Sequence, residues 1–246
     1  MPAGLPAARR TRVILVALGA VMLGAVIQGS IGFGFALVAV PAFTLLLPEV
    51  VPSGLLLIAV PMTITMVLRE HSSIDMSGLF YSTVGRIVGT VAGLALLAMV
   101  QADSLALLVG SMIVFAVALS LFAAPSEVEW GTGLVAGFAS GVMSTAAAIG
   151  GAPMALAYQA RPGNELRSTL SASFVLGTLM SLAALALAGR VDGGHVIFAL
   201  QMTPAMLAGL LLSRYLKPWL DARWLRPAVL CFAGIAGVLA IAQSVG

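Results

Sequence analysis

Charged residues are scarce in this sequence. Only 9% of the 246 residues are charged, whereas 61% are hydrophobic, and soluble domains average about 25% charged residues. Such a chain cannot cover its own surface with polar groups, which excludes a soluble globular protein. The composition also excludes intrinsic disorder, because disordered segments combine low hydrophobicity with high charge.

Groups that bind nucleic acid or metals are scarce as well. The 12 Lys and Arg residues lie at chain ends and in connectors without forming a basic stripe, so we expect no nucleic-acid partner. The single cysteine, Cys231, cannot form an intramolecular disulfide. No cluster of His, Asp or Glu predicts a metal site, and no motif predicts a cofactor.

Long apolar runs are abundant instead. A bilayer core about 30 Å thick needs roughly 20 apolar residues per helix, and eight segments joined by short, charged connectors reach or approach that length. The pattern predicts an all-α, polytopic membrane protein with about 7–8 transmembrane helices. The segments are 11–28 continuing into 35–47, 51–68, 76–100, 104–123, 131–147 continuing into 152–160, 168–189, 194–216 and 225–243.

An ungapped shift of 117 residues aligns the two halves of the chain. Gly34 falls on Gly151, Asp75 falls on Asp192, and the connectors coincide as well. We interpret the halves as two tandem four-segment repeats of one membrane domain, an organisation in which transporters place the substrate near the midplane. The predicted boundaries are a basic tail at 1–12, a first repeat at 13–123, a linker at 124–130 and a second repeat at 131–246.

Small residues interrupt the first segment of each repeat. Glycine weakens a helix interior and proline suits the first turn of a new helix, so we predict two discontinuous helices. A helix start at membrane depth offers free N–H groups and a positive dipole end to an anion. Close helix packing through small residues is the alternative. The interruptions read Gln28-Gly29-Ser30-Ile31-Gly32-Phe33-Gly34-Phe35 and Ser144-Thr145-Ala146-Ala147-Ala148-Ile149-Gly150-Gly151-Ala152-Pro153.

Arg86 is a charged residue deep inside an apolar segment, at the eleventh position of 76–100. A guanidinium at that depth costs about 2.5–3.5 kcal/mol on insertion scales, and no carboxylate in the sequence is obviously deep enough to neutralise it. We predict that Arg86 contacts an anionic substrate, which arginine can bind through two hydrogen bonds. The alternatives are bonding to backbone carbonyls freed by the breaks, or reaching the headgroups.

The predicted substrate site gathers small and polar residues around the breaks and Arg86. Asp75 and Asp192 open equivalent segments, where a carboxylate favours the helix dipole, so we interpret them mainly as caps, with a gating or proton role as the alternative. The predicted substrate-binding residues are Arg86, Gln28, Ser30, Gly32, Gly34, Ser144, Thr145, Gly150, Gly151 and Ser171.

These features resemble the sulfite exporter TauE/SafE family, also called the toluene-sulfonate uptake permease family, over roughly 14–243. The resemblance implies a multi-pass permease or exporter of sulfite, organosulfonates or related small sulfur-containing anions in the bacterial inner membrane. Phe33 and Phe35 interrupt what is often a longer glycine run in the family. The matching residues are Gly32, Gly34, Pro41, Gly150, Gly151, Pro153, Ser168, Thr169, Leu170, Ser171, Ile74, Asp75, Val191 and Asp192.

The residues by themselves indicate a membrane carrier with a centre that favours anions. A transporter of another small organic or inorganic anion stays open, as does an intramembrane enzyme, although the string from Gly137 to Gly141 lacks the spacing of a membrane serine protease. The expected partners are a small anionic substrate, the lipid bilayer and, as an option, a second copy in a homodimer.

Orientation stays open among three arrangements. Eight full spans put five basic residues inside and six outside, and a re-entrant second break puts ten inside and one outside. If both broken segments are re-entrant, each repeat crosses three times and the repeats are inverted. With the N-terminus outside, that arrangement puts seven basic residues inside and four outside.

Overall fold

The computed structural model describes residues 7–101, 104–122, 129–216, 219 and 222–245, and the regular secondary structure of these residues is all helical. A short 3₁₀ turn at Pro48–Val50 precedes the third helix. The α-helices of this part of the chain are α1 (Ala7–Ile31), α2 (Phe35–Leu46), α3 (Ser53–Arg69), α4 (Met76–Met99), α5 (Leu105–Phe122), α6 (Trp130–Ala147), α7 (Gly151–Ala157), α8 (Gly163–Leu187), α9 (Gly193–Leu216) and α10 (Ala222–Val245).

Helix length and composition agree with a polytopic membrane protein. Among the described residues, five helical stretches are long and apolar enough to cross a bilayer, and α2, α3 and α5 are shorter apolar helices. The 17 residues of α3 extend only about 25 Å, so the predicted total of seven or eight spans stays a prediction. The five stretches are Thr11–Ile31, Met76–Met99, Gly163–Leu187, Gly193–Leu216 and Pro227–Ser244.

The largest difference from the predicted helix boundaries lies at the start of α8. The segment predicted to start at 168 is a helix from Gly163 onward, with Pro162 as its N-cap. Charged residues at 165 and 167 had indicated a connector, but they occupy the first turns of α8. Glu165 is favourable there because the N-terminus of a helix attracts negative charge.

Both predicted breaks are present, and the chain reverses direction at the first one. α1 ends at Ile31 and α2 begins at Phe35. Phe35 then lies against Gly24, where an added Cβ would come within 3.1 Å of the Phe35 ring and carbonyl oxygen. The chain has therefore turned back by almost two helical turns, and α2 runs back alongside α1.

The second break reverses the chain in the same way. A Cβ on Gly150 would lie 2.7 Å from the Ser144 side chain, so the chain steps back along α6 before α7 begins. The end of α7 reaches the start of α4, because Tyr158 lies against Gly78. The start of α6 packs on this same part of α4, so the α6–α7 hairpin begins and ends at one face of the bundle.

Close contacts fix the relative directions of the other helices. Gly85 and Gly93 of α4 face the backbone of Leu134 and Val142 in α6, in rising order, so α4 and α6 are parallel. Gly209 of α9 faces Met22 of α1 in a close contact of the same kind, and Ser213 one turn later faces Gly29. The α1 and α9 helices are therefore parallel as well.

By contrast, α3 and α8 pack against each other in opposite directions. The Ser53 hydroxyl at the start of α3 donates to the Arg190 carbonyl oxygen beyond the end of α8, at 2.7 Å. Glu70, directly after α3, instead pairs with Arg167 near the start of α8, at 2.5 Å. The end of α3 and the start of α8 therefore lie at the same face.

We call this the arginine-rich face, defined by Arg69, Arg161, Arg167 and Arg214. It holds the ends of α1, α3 and α9 and the starts of α4, α6 and α8. The opposite face holds the starts of α1, α3 and α9, and there His195 Nε2 lies 3.1 Å from the Glu49 carbonyl oxygen at the end of the α1–α2 hairpin.

Candidate functional site

A cavity of about 60 Å³ lies where the two breaks come together, between α3, α4 and α8. A water molecule needs roughly 10–15 Å³ on this measure, so the cavity has room for a few waters or one small anion. Most of its wall is apolar, with a few polar groups among the breaks. It is lined by Gln28, Phe33, Gly34, Phe35, Ala36, Leu37, Leu56, Ala59, Met62, Thr63, Arg86, Ser144, Ala148, Ile149, Gly150, Gly151, Ala152, Phe174 and Thr178.

Arg86 supplies a positive charge to this wall and is only 2% exposed. Its Nη1 donates to the Ser173 carbonyl oxygen at 2.6 Å, and its Nη2 donates to the Ser140 hydroxyl. Its Nε has no hydrogen-bond partner among the described residues. The ion pairs found in this part of the chain leave Arg86 without a carboxylate partner.

The Arg86 guanidinium also braces the second break. The Ser140 hydroxyl that accepts from Arg86 donates in turn to the Gly150 carbonyl oxygen, which links α4 to the turn between α6 and α7. On the α8 side, the guanidinium lies where a side chain on Gly177 would sit. Arg86 therefore bonds a backbone carbonyl inside α8 rather than one freed by the breaks, and lines the cavity as well.

At the first break, Gln28 takes over a bond that the helix has lost. The first N–H groups of a helix have no partner within it, and the Phe35 N–H at the start of α2 donates to Gln28 Oε1 at 2.9 Å. This bond fixes the amide orientation and leaves Nε2 as the donor of a residue that lines the cavity. Gly32 and Gly34 have φ values of 93° and 122°, a region that favours glycine.

At the second break, three hydroxyl groups form a chain between α6 and α8. Thr145 Oγ1 donates to Ser181 Oγ at 2.9 Å, and Ser181 donates to Ser144 Oγ at 3.1 Å. Because Ser144 already accepts a hydrogen bond and lines the cavity, its own proton can serve a ligand there. Ala148 closes α6 in the left-handed conformation, with φ of 60°.

The structure brings six of the ten predicted substrate-binding residues to one cavity: Arg86, Gln28, Gly34, Ser144, Gly150 and Gly151. The other four lie outside its wall. Ser30 donates to the Val26 carbonyl within α1, Gly32 lies next to Arg167 and Thr145 bonds Ser181. The Ser171 hydroxyl is buried and has no partner among the described residues.

The interpretation of Asp75 and Asp192 as helix caps is confirmed. Asp75 Oδ1 accepts from the Gly78 N–H at 3.0 Å, and Asp192 Oδ1 accepts from the His195 N–H at 2.9 Å. The latter bond, together with the His195 side chain, lowers the pKa of Asp192. Neither aspartate lines the central cavity, so a gating or proton role stays a prediction.

Sequence reasoning missed several residues that shape the site. Ser140 was considered only as part of a protease-like string, although it lies four residues before Ser144 and thus on the same helix face. Gly177 and Ser181 follow the same rule, one turn apart on α8. Their roles depend on which face of α8 meets Arg86, and the even spread of small residues along that helix does not reveal it.

These features define a polytopic membrane protein with a small cationic cavity between two helix breaks. The family model for the sulfite exporter TauE/SafE matches residues 16–240 of the chain. The chain therefore belongs to the sulfite exporter TauE/SafE family, which is a transporter family, and the resemblance inferred from its motifs is confirmed. No curated protein and no solved structure matches the chain.

Proposed function

We propose that the protein is a bacterial inner-membrane permease that carries sulfite, an organosulfonate or a related small sulfur-containing anion through the cavity between the two breaks. The observation that carries the proposal is the Arg86 guanidinium, which is buried at the cavity wall without a carboxylate partner among the described residues. A buried charge needs compensation, and a transported oxyanion supplies it.

The remaining polar groups of the wall suit an oxyanion. Gln28 Nε2 and the Ser144 hydroxyl are neutral donors, and the start of α2 adds the positive end of a helix dipole. Family membership supports the sulfur-containing class of anion. Another small anion of similar size is the second candidate, because a guanidinium and neutral donors recognise oxyanions in general.

We further propose that the two halves are inverted repeats with re-entrant first segments. With α1 to α5 corresponding to α6 to α10, equivalent helices run in opposite directions. The α3 helix is antiparallel to its counterpart α8. The α1 and α9 helices are parallel and end at the arginine-rich face, whereas their counterparts α6 and α4 are parallel and begin there. A contact between two helices recurs between their counterparts: α4 packs on α6 as α9 packs on α1, and α5 packs on α7 as α10 packs on α2. Inverted repeats around a midplane site are common in secondary transporters.

This arrangement assigns an orientation. With both breaks re-entrant, the sequence count puts seven basic residues on the side where α3 ends and four on the side of the N-terminus, so the positive-inside rule puts the arginine-rich face in the cytoplasm. Among the described residues, Arg86 is the only ionisable side chain in the cavity wall, and no carboxylate or histidine there supports a proton relay. An inside-negative potential contributes about 2.3 kcal/mol per charge per 100 mV to the export of an anion, so we expect voltage to drive the flux.

The proposal is tested by sulfite flux in proteoliposomes containing the purified protein. Replacing Arg86→Met removes the charge, and we expect the flux to fall at least about 30-fold, since losing one partner of a buried charged pair costs about 2–5 kcal/mol. Arg86→Lys keeps the charge but loses the two-pronged geometry, and we expect an intermediate flux. Arg190→Gln, which changes an exposed arginine, is the control.

Because Arg86 also braces the second break, each variant is compared for membrane level and thermal unfolding in detergent. Folded Arg86→Met protein with unchanged flux would contradict the proposal. A panel of sulfite, sulfonates, phosphate and small carboxylates, supplied at a clamped potential and varied pH, separates the two candidate substrate classes. Flux that follows pH but ignores voltage would contradict the voltage-driven mechanism.

A further inference from the structure

A second group of charges lies over the first break, on its arginine-rich side. The Arg167 Cγ is 3.5 Å from where a Cβ on Gly32 would stand, and the Arg167 Nη2 lies 3.5 Å from the Gly29 carbonyl oxygen. Arg167 therefore sits at the tip of the α1–α2 hairpin. Phe33, the residue after Gly32, lines the central cavity.

Positive charge exceeds negative charge at this place. Arg167 Nη2 pairs with Glu70 Oε1 at 2.5 Å, and Arg69 directly precedes Glu70 at the end of α3. Arg214 follows Ser213, which lies against Gly29, the residue whose carbonyl oxygen Arg167 approaches. The described residues thus bring three arginines to the neighbourhood of the Glu70 carboxylate, with Arg167 in direct contact with it. The other oxygen of that carboxylate, Oε2, is buried and has no hydrogen-bond partner among them.

The Arg167–Glu70 pair is accessible from the face of the protein. The two side chains are 18% and 19% exposed, so an anion from water can reach the guanidinium. Phe33 lines the cavity directly after Gly32, and Phe33 and Leu166 of α8 pack against the same buried cluster. An anion leaving Arg167 for Arg86 would therefore pass one aromatic side chain at the turn of the break.

We propose that Arg167, Arg69 and Arg214 form a second binding site for small oxyanions, the mouth site, and that the Glu70 carboxylate occupies it until an anion takes its place. The mouth site rests on the proposed function, because the ligand is the anion that the cavity carries. A carboxylate and a sulfur oxyanion offer the same oxygen acceptors to a guanidinium. Glu70 acts in this way as a tethered competitor, which an arriving anion displaces from Arg167.

Among the described residues, the positions of the opposite face that correspond to Arg167 and Glu70 carry no charge. The 117-residue shift places Val50 opposite Arg167 and Leu187 opposite Glu70. Both are apolar, so neither binds an anion through a charge. We therefore expect the half-saturating concentration of the anion to depend on the mouth site only when the anion enters from the arginine-rich face. That one-sided dependence distinguishes a binding site from a contact that only stabilises the fold.

The test measures sulfite uptake into inside-out and right-side-out vesicles over a range of concentrations. With Glu70→Gln, the amide removes the competing charge while preserving size, and we expect the half-saturating sulfite concentration to fall about fivefold from the arginine-rich face, the effect of one partly exposed charge pair. With Arg167→Gln, we expect it to rise about fivefold from that face. Neither variant should change it from the other face.

Arg190→Gln serves as the control, since Arg190 is an exposed arginine of the opposite face. Half-saturation that is unchanged in both mouth variants, or altered equally from both faces, would overturn the mouth site. If sulfite flux still depends on Arg86 in that case, the proposed function stands without it. An unmodified protein that carries no sulfite or sulfonate would overturn both.

Discussion

The two helix breaks reverse the chain in the same way but are held by different chemistry. At the first break, two glycines adopt positive φ values, and the neutral amide of Gln28 caps the returning helix. At the second, Ala148 adopts the positive φ, and Ser140 ties the turn to Arg86. Each reversal therefore uses a left-handed residue and a side-chain hydrogen bond to the backbone of the turn, from an acceptor at the first break and from a donor at the second. Only the second break adds a charged group.

If the two halves are the repeats proposed above, the positions of the two breaks can be aligned residue by residue. The breaks are 116 residues apart, since Ile31 corresponds to Ala147 and Phe35 to Gly151 (147 − 31 = 151 − 35 = 116). The later helices are 117 apart, because α4 begins at 76 and α9 at 193. Gly32 therefore corresponds to Ala148 rather than to Ile149, which the ungapped shift of 117 would pair with it.

The charge has no counterpart in the other half. The 117-residue shift places Thr203 at the position of Arg86. The Thr203 hydroxyl donates to the Ala199 carbonyl one turn earlier in its own helix, at 2.7 Å. An anion in the cavity therefore meets a guanidinium from the α4 side alone, and the second break is the one whose geometry depends on that guanidinium.

Crowding the Arg86 guanidinium is expected to have the largest effect on sulfite flux. In Gly177→Ala, the new methyl group would overlap the guanidinium, which must move away from Ser140 and the cavity. Overpacking of this kind costs about 1–3 kcal/mol, and we expect sulfite flux to fall about 10- to 100-fold. Flux is measured in proteoliposomes at equal protein content.

The matched control is Gly163→Ala, in the same helix, where an added Cβ meets no atom within 4 Å. We expect that variant to retain the unmodified flux. Equal fluxes for Gly177→Ala and Gly163→Ala would show that the guanidinium position is unimportant, and the asymmetry between the two breaks would then lose its functional meaning.

The sequence predicted the apolar segments, both breaks and the unusual depth of Arg86. These follow from local physics: apolar runs, glycine and proline within a run, and the cost of a charge in a membrane. The reversal at Gly32 and Ala148 could not be predicted, because a break permits either a continued span or a return. The contact of Arg86 with Gly177 depends on the rotation of two packed helices, and low amphipathicity leaves that rotation undefined.

A charge added at the first break tests whether the transported anion approaches Gln28. Gln28→Glu keeps the acceptor for the Phe35 N–H but replaces the remaining donor with a carboxylate oxygen at the cavity wall. The added charge repels an anion and competes for Arg86, so we expect flux to fall about tenfold, or about 1.4 kcal/mol, with little change in thermal stability. Gln28→Leu should instead lower stability by about 1 kcal/mol, the usual cost of losing a cap.

Sulfite flux and thermal unfolding in detergent separate these two effects. If Gln28→Glu transported as well as the unmodified protein, the amide would be a cap alone and the anion would not approach the first break. The cavity would then function through the second break and Arg86 only.

The smallest expected effect concerns the left-handed residue at each turn. At the second break, Ala148→Gly relieves a conformation that costs an L-residue roughly 1–2 kcal/mol, and after the greater freedom of unfolded glycine we expect about 0.5–1 kcal/mol of added stability. At the first, Gly32→Ala should lower stability by about 1 kcal/mol, because its Cβ would make only an ordinary 3.5 Å contact with Arg167 and the cost is conformational. Thermal unfolding of both proteins is the measurement. If the unfolding temperatures of both variants shifted in the same direction, the two turns would not share a backbone requirement. If they shifted in opposite directions and sulfite flux were unchanged, the functional difference between the two breaks would lie entirely in their side chains.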